Sequence, residues 1–212
     1  MMTLYYAPGA CSMASHITLE ETGAPYETRA LAMQQGEHKT PEYLKINSRG
    51  KVPALRIDDD QVIVENVAIQ YYLSKRFPEA KLAPADALGE ARWLSTNAWF
   101  SNTVHPSFTH VLRPAYFADG EAAQASVSAT GKKTFWANLQ EIDRLLDGRI
   151  WVQGAQFTTS DAYALVFYGW GNRVQMPVAE LKNYTAWKNR MLQRPAVRKV
   201  VEREGDPTKL AA

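Results

Sequence analysis

A single cysteine, Cys11, stands where a thiol can be reactive. It follows a short strand-like run and the turn Ala7-Pro8-Gly9, and it precedes a segment with helically spaced apolar residues that ends before Gly23. Unpaired N–H groups and the helix dipole at such a position can lower a thiol pKa from its usual value of about 8.5. The position is typical of a reactive thiol, although a buried, inert cysteine fits the same pattern.

The sequence predicts neither a dithiol redox motif nor a metal site built from histidines. Ala14 stands where a Cys-x-x-Cys motif has its second cysteine, which excludes an efficient dithiol oxidoreductase and leaves single-thiol exchange open. His105 and His110 are five residues apart, a poor spacing for one metal-binding face of a helix. We therefore expect no metal site.

Two further places have residue types that suit binding or proton transfer. Glu65 and Asn66 open a predicted helix, where Asn66 can cap free N–H groups and where those groups can also receive a carboxylate. The imidazole of His105, on a later predicted helix, can donate or shuttle a proton. A plain N-cap at Asn66 and a hydrogen-bonded histidine at a helix end are the structural alternatives.

Alternating short elements in the first eighty residues must position these groups. Strand, helix and turn signals predict the order β-α-β-α-β-β-α, with a hairpin whose turn is Asp58-Asp59-Asp60. From about Gly89 onward only helices are predicted, near 90–116, 121–146, 160–172 and 179–190, with a shorter one after Pro195. The composition changes across a proline-containing linker, which predicts a domain of residues 1–81 and another of residues 87–212.

Composition excludes several classes of partner. The 212 residues carry 24 Lys and Arg against 22 Asp and Glu, and this formal charge of +2 is too small to mark a nucleic-acid or membrane surface. The most apolar stretch, residues 162–170, is about half of the roughly 20 residues that cross a bilayer. A lone cysteine and a start without signal-peptide character favour the cytoplasm.

Four segments, in order along the chain, carry a resemblance to a known family. They are Leu4-Tyr5-Tyr6-Ala7-Pro8-Gly9-Ala10-Cys11-Ser12, Asn47-Ser48-Arg49-Gly50-Lys51-Val52-Pro53-Ala54-Leu55, Glu65-Asn66-Val67-Ala68-Ile69 and Phe157-Thr158-Thr159-Ser160-Asp161-Ala162. The chain resembles the cytosolic glutathione transferases over nearly its whole length, and most of all the bacterial beta class. This resemblance implies a thioredoxin-like α/β N-terminal domain followed by an all-α C-terminal domain.

The resemblance also implies roles for particular residues. Cys11 would lie beside the glutathione thiol, with His105 facing it and with Tyr6 or Ser12 donating a hydrogen bond to the thiolate. The expected catalytic residues are Cys11, His105, Tyr6 and Ser12. A cis peptide before Pro53 would turn the Val52 backbone toward the cysteinyl unit, and Glu65 with Asn66 would hold the γ-glutamyl end. The expected glutathione-binding residues are Met33, Gln35, Lys51, Val52, Pro53, Glu65 and Asn66.

The sequence departs from the beta-class pattern at several positions. A lysine that grips the glycine carboxylate is missing near residues 33–36, so that Lys39 or Lys51 would have to replace it, and Ala98 stands where an asparagine contact is expected. Losing one charged contact would weaken binding by roughly tenfold to a hundredfold. Pro106, where lysine is usual, would disturb the helix beside His105.

The resemblance implies an enzyme that conjugates the glutathione thiolate to hydrophobic electrophiles. Reduction of peroxides or mixed disulfides through Cys11 stays open, and the alternative is a non-catalytic protein of the same fold that binds ligands or other proteins. Glutathione is expected as co-substrate, without a metal. A homodimer is implied, and nucleic-acid and membrane partners are not expected.

Overall fold

The N-terminal part of the chain forms a mixed four-stranded sheet in the computed structural model, which describes residues 1–57 and 61–208. The strands are β1 (Met2–Tyr6), β2 (Tyr26–Ala30), β3 (Ala54–Arg56) and β4 (Val62–Val64), in the spatial order β2-β1-β3-β4. β1 pairs in parallel with β2, whereas β1 with β3 and β3 with β4 are antiparallel. The predicted hairpin is confirmed, and its turn at residues 58–60 lies outside the described residues.

Helices cover both faces of the sheet, and successive side chains of β1 point to opposite faces. Leu4 and Tyr6 face α1 (Ser12–Glu21) and α3 (Asn66–Arg76), in a cluster that also contains Leu55 of β3. Tyr5 points the other way and packs on Tyr43 of α2 (Pro41–Ile46). The α/β layer expected for a thioredoxin-like domain is thus confirmed, in the predicted order of elements.

The strands of the described chain all lie before residue 65, and helices follow. They are α4 (Ala87–Trp99), α5 (His105–Leu112), α6 (Glu121–Leu145), α7 (Thr159–Arg173), α8 (Lys182–Met191) and α9 (Pro195–Glu204). The all-helical second half is confirmed. The helix predicted near residues 90–116 is confirmed from 87 to 112, because α4, a π-helical segment and α5 follow one another without a break, while Pro114–Tyr116 forms a 3-10 turn instead.

A five-residue π-helical segment, Phe100–Val104, lies between α4 and α5. Pro106, the second residue of α5, has no N–H to donate to the carbonyl group of Asn102, four residues earlier. The regular α-helical bonding pattern therefore cannot continue through this point, and a π segment is a common way to absorb such a break. The local disturbance predicted from Pro106 is confirmed: the helical run continues through a π-helical segment, and His105 begins the α-helical part that follows it.

Helix α7 is the centre of the helical half, since the residues from Thr159 to Gly171 are all buried. It begins with the predicted capping box, in which Asp161 accepts a hydrogen bond from the backbone N–H of Thr158 at 2.9 Å. The same carboxylate accepts from the N–H of Val152 and from the indole N–H of Trp187, both at 2.8 Å. Asp161 thus ties three segments together, which supports the folding role expected for it.

The two halves of the chain share buried contacts. Met13 and Ile17 of α1 belong to the same apolar cluster as the core of α7. The side chain of Gln70 on α3 donates to the backbone carbonyl of Thr159 at 3.1 Å, and the indole N–H of Trp93 on α4 donates to the Thr159 hydroxyl at 3.1 Å. Helix α1, which begins beside Cys11, is therefore enclosed by both halves. In the described part of the chain, no helix has the length and apolarity needed to span a membrane.

Candidate functional site

Cys11 lies in the turn between β1 and α1, where three segments meet. Its thiol donates to the backbone carbonyl of Val52 across 3.5 Å, and its own backbone carbonyl accepts a hydrogen bond from the Asn66 amide at 3.0 Å. The indole N–H of Trp170 on α7 donates to the carbonyl of Gly9 in the same turn, at 3.0 Å. The structure therefore brings together Cys11, Val52 and Asn66, as predicted.

The expectation of a lowered thiol pKa at Cys11 is wrong. Although the residue keeps some exposed surface, desolvation of its thiol raises the pKa to about 12. The side chain of Asn66 acts in the opposite direction by hydrogen bonding, and the nearby charge of Glu65 adds to the increase. Because Cys11 makes no side-chain cap to helix α1, the helix N-terminus does not offset the cost of burying a thiolate.

The two hydroxyl groups expected to serve the thiolate have other partners. Ser12 is fully buried, and its hydroxyl donates to the carbonyl of Ala7 at 3.2 Å and accepts from the Ala7 N–H at 3.1 Å. It therefore fixes the turn, and its donor is not available to a thiolate. The ring of Tyr6 packs on His16 with centroids 5.1 Å apart, and the pKa of Tyr6 is raised by burial and then by the charge of Glu204. Tyr6 thus lies among groups of α1 and α9 instead of facing Cys11.

The Val52–Pro53 peptide bond is cis, as predicted. Met33, in a 3-10 turn that spans Met33–Gln35, packs on the apolar cluster that contains Val52, while Gln35 is exposed. The backbone carbonyl of Lys51 accepts hydrogen bonds from the Tyr43 hydroxyl and the Asn47 amide, both at 2.7 Å. These bonds hold the chain before β3, while the Lys51 side chain stays exposed.

Glu65 adopts a backbone φ of +73°, in the left-handed region that is uncommon for residues other than glycine. Such conformations often mark functional sites. Its exposed carboxylate forms an ion pair with Arg49 at 2.5 Å. The sequence alone did not point to Arg49 as the partner of Glu65.

The prediction that Asn66 caps α3 is wrong. Asn66 is the first residue of the helix, and the residue before it, Glu65, makes no side-chain cap. The Asn66 side chain instead bridges to α1: its oxygen accepts from the Ser15 hydroxyl at 2.6 Å, while its amide N–H donates to Cys11. Asn66 therefore joins the N-terminus of α3 to the first turn of α1.

His105 is held in the core beside a tyrosine. Its Nδ1 lies 3.0 Å from the hydroxyl of Tyr163, and its ring makes an edge contact with Trp170 at 4.8 Å between centroids. Burial lowers the pKa of His105 to about 4, and the positive charge of Lys51 contributes further. His105 is therefore neutral at neutral pH.

Tyr163 is a site residue that sequence reasoning missed, because a tyrosine in an apolar helix is usually a core residue. It is 2% exposed, and its pKa is raised well above the ordinary value by burial and then by the charge of Cys11. The seven-residue spacing from Tyr163 to Trp170 puts both on one face of α7. That spacing, which places Tyr163 on the face of α7 that Trp170 directs at the Cys11 turn, was the sequence signal that could have identified Tyr163.

The relatives of this chain identify its family. Residues 1–75 match the family model described as the N-terminal domain of glutathione S-transferase. Over 206 residues the chain is 32% identical to the glutathione S-transferase GstA of Escherichia coli O157:H7, covering 96% of this chain and 99% of the relative. This chain belongs to the glutathione S-transferase family.

Solved structures of other glutathione S-transferases share the fold. The bacterial beta-class enzyme of Sphingomonas chungbukensis is 30% identical, with a TM-score of 0.85 over 96% of this chain and 98% of that one. A sphingomonad glutathione S-transferase, solved in complex with glutathione, is 32% identical with the same TM-score and coverage. The predicted family, fold and transferase function are therefore confirmed, and the non-catalytic alternative is not favoured.

Positively charged side chains are candidates to replace the lysine that the resemblance led us to expect near residues 33–36. Lys39 lies beside Gly50, with its ammonium nitrogen 2.9 Å from where a Cβ atom at Gly50 would be. The charge of Arg113, at the end of α5, lowers the pKa of both His38 and His105. Sequence reasoning did not identify Arg113, because a residue after an amphipathic helix gives no sign of which cleft it faces.

The second departure from the beta-class pattern lies on α4. Ala98, where an asparagine contact was expected, is exposed. Its neighbour Asn97 is fully buried, and within the described structure neither polar atom of its side chain has a hydrogen-bond partner. The asparagine contact is therefore absent at Ala98. A buried amide lies one residue earlier.

Proposed function

We propose that this glutathione S-transferase adds the glutathione thiolate to hydrophobic electrophiles, with the glutathione sulfur placed beside Cys11 and Asn66. The observation that supports this most is the meeting of the Cys11 thiol, the Val52 carbonyl and the start of α3 at one corner of the sheet. A relative 32% identical to this chain, with the same fold, has been solved with glutathione bound.

Each part of the tripeptide has a suitable partner around this corner. The Val52 backbone can pair with the cysteinyl unit, because its carbonyl makes only a long, weak bond with the Cys11 thiol. The carboxylate of Glu65 suits the γ-glutamyl ammonium, and the N-terminus of α3 suits the γ-glutamyl carboxylate. For the glycine carboxylate, Lys39, Lys51 and Arg113 supply the charge that the missing family lysine would have carried.

The protonation state of the Cys11 thiol favours conjugation over redox exchange as the main reaction. A thiol with a pKa of about 12 is almost entirely protonated at neutral pH, and only a thiolate attacks disulfides or peroxides efficiently. In its protonated form Cys11 is a hydrogen-bond donor to the glutathione sulfur. The nucleophile is then glutathione itself, and Cys11 supports it.

Aromatic residues of α5 and α7 suit a hydrophobic electrophile. Phe108 and Trp170 stack with ring centroids 4.2 Å apart, next to His105. Beyond the end of α5, Tyr116 is 69% exposed and Phe117 is 48% exposed. We propose that Tyr116 and Phe117, with the exposed Leu112, receive the electrophile beside the glutathione sulfur, and that the buried Phe108–Trp170 stack supports the site from below. Large exposed apolar side chains often mark such binding surfaces.

Binding and turnover of the full chain test this proposal. Isothermal titration calorimetry should show heat with millimolar glutathione, and a chlorinated dinitrobenzene should be conjugated. Cys11→Ala should lower the conjugation rate without abolishing it, whereas Glu65→Ala should weaken glutathione binding. Neither heat nor turnover in the unaltered protein would refute the proposed function.

We also propose that the enzyme is a cytoplasmic homodimer. Its single thiol suits a reducing compartment. Tyr71 on α3 and Leu88 on α4 are large exposed apolar residues that a second copy could cover. Light scattering of the purified protein measures the assembly directly, and a monomer at micromolar concentration would contradict the dimer.

A further inference from the structure

Tyr163 and His105 form a rigid hydrogen-bonded pair inside the core. The distance from Tyr163 Oη to His105 Nδ1 is 3.0 Å. Phe167 stacks on the Tyr163 ring at 4.8 Å between centroids, and Phe100 makes an edge contact at 6.0 Å. Trp170 packs on the imidazole of His105. Because both rings are packed on apolar neighbours, the direction of the Tyr163 hydroxyl is fixed.

The other neighbours of this hydroxyl belong to the glutathione corner. Trp170, which packs on His105, donates to the carbonyl of Gly9 in the Cys11 turn at 3.0 Å, and Cys11 itself packs on the apolar cluster that contains Tyr163. The electrostatic effect of Cys11 on the pKa of Tyr163 agrees with this arrangement. Asn66 donates to the backbone carbonyl of Cys11. Tyr163 therefore lies in the packing that joins His105 to the Cys11–Asn66 corner.

A neutral imidazole can control where the tyrosine proton points. It carries one N–H, on either Nδ1 or Nε2. With the proton on Nδ1, His105 donates to Tyr163 Oη, and the phenol O–H is then free to donate toward the corner. With the proton on Nε2, Tyr163 donates to His105 instead. A thiolate in the corner selects the first arrangement, because a hydrogen bond to a charged acceptor is about twice as strong as a neutral one.

We propose that Tyr163 donates the hydrogen bond that stabilises the glutathione thiolate, and that His105 is the positioning residue that orients the Tyr163 hydroxyl. This inference rests on the proposed function and extends it, since it assigns thiolate stabilisation to a side chain of the helical half. The two hydroxyls expected from the resemblance to serve the thiolate have other roles: Ser12 fixes the turn and Tyr6 packs on His16. Tyr163 supplies the hydroxyl donor that neither of them provides.

The substitution Tyr163→Phe tests the proposal, because it removes only the hydroxyl. The ultraviolet absorbance of the enzyme-bound thiolate is titrated with pH at saturating glutathione. We expect the apparent pKa of bound glutathione to rise by about one to two units, and kcat/KM near neutral pH to fall roughly tenfold to a hundredfold. Tyr184→Phe is the matched control: Tyr184 is also fully buried, and its hydroxyl donates to the Ala164 carbonyl. It should leave the pKa of bound glutathione unchanged.

Variants of His105 test the positioning role. His105→Leu removes the donor to Tyr163 and should raise the pKa of bound glutathione, while His105→Asn places an amide N–H close to the position of Nδ1 and should restore most of the loss. The double variant with Tyr163→Phe should be no worse than Tyr163→Phe alone, because His105 acts only through Tyr163. Additive effects in this cycle would overturn the positioning role.

The outcomes separate this inference from the proposed function. If the unaltered protein binds glutathione and Tyr163→Phe keeps its thiolate pKa, the inference fails while the proposed function stands. If the unaltered protein does not bind glutathione, the proposed function itself fails. Circular dichroism checks that each variant folds. If Tyr163→Phe does not fold, the two His105 variants test the proposal instead. An unchanged pKa of bound glutathione in His105→Leu would also overturn it.

Discussion

His16 and Glu204 form a completely buried pair that ties α1 to α9. His16 Nδ1 and one carboxylate oxygen of Glu204 are hydrogen bonded, and both side chains are fully shielded from solvent. Within the described residues, the other oxygen of Glu204 has no hydrogen-bond partner, and burial raises the pKa of this carboxyl. Helix α1 is thus held by Asn66 near its first turn and by Glu204 farther along. The last helix therefore helps to position Cys11.

Replacing Glu204 should destabilise the whole fold. In Glu204→Ala the buried His16 loses the carboxylate on its Nδ1, keeps only the contact of its Nε2 with Arg203 at 3.4 Å, and faces a cavity. The free energy of unfolding should therefore fall by at least about 2 kcal/mol. Glu204→Gln keeps a hydrogen-bonding group and should lower the free energy of unfolding by less than half as much as Glu204→Ala. Urea denaturation followed by circular dichroism measures both. Glu202→Ala, an exposed site on the same helix, is the control. Equal stability of Glu204→Ala and Glu202→Ala would contradict a structural role for the pair.

Cys11 should react slowly with alkylating reagents in the folded protein. Because desolvation raises the pKa of its thiol to about 12, only a small fraction is thiolate at pH 8, and only the thiolate reacts. We expect iodoacetamide to modify Cys11 at least a hundredfold more slowly than a free cysteine, with a rate that still increases above pH 9. Mass spectrometry measures the rate. Modification in urea should reach the ordinary rate, and a fast reaction of the folded protein that levels off below pH 8 would show that the thiol pKa is lowered after all.

His105 should show no ionisation in the usual histidine range. Burial lowers its pKa to about 4, so that the ring stays neutral as pH falls through 6.5. The unfolded chain binds this proton first, and His105 therefore contributes stability above about pH 6.5 that is lost as pH falls toward 4. Proton NMR of the imidazole C–H signals measures the titration, with His105→Asn to assign the signal. A midpoint between pH 6 and 7 would contradict the buried neutral state.

The fold was largely predictable because its signals are local. The aromatic run Leu4-Tyr5-Tyr6 before a turn, the Thr158–Asp161 capping box and the Val52–Pro53 hairpin entry are short patterns, and the structure confirms all three. The π-helical segment between α4 and α5 was only partly predictable. Pro106 indicated a disturbance, but whether the helix ends there or continues through a π-helical segment depends on packing against α7.

The site was less predictable, because its chemistry depends on burial and on partners far along the chain. A helix N-terminus favours a thiolate, yet desolvation outweighs that effect at Cys11. Asn66 looked like a cap from its position, but its partners Ser15 and Cys11 belong to another helix. Tyr163 is separated from Cys11 by 152 residues, and no local pattern connects them.

Asp161 should make the stability of the fold depend on pH in an unusual direction. Full burial raises the pKa of its carboxyl from 3.8 to about 6, despite three N–H donors. Between these values the unfolded chain has lost the proton while the folded protein keeps it, so the contribution of Asp161 to stability is complete below about pH 4 and falls by about 3 kcal/mol as pH rises to about 6. Thermal unfolding of the protein and of Asp161→Asn, compared from pH 4 to pH 8, isolates this contribution. The advantage of the unaltered protein over Asp161→Asn should shrink as pH rises to about 6 and then stay constant; an advantage that grows over this range would mean that the hydrogen bonds, and not desolvation, dominate at the start of α7.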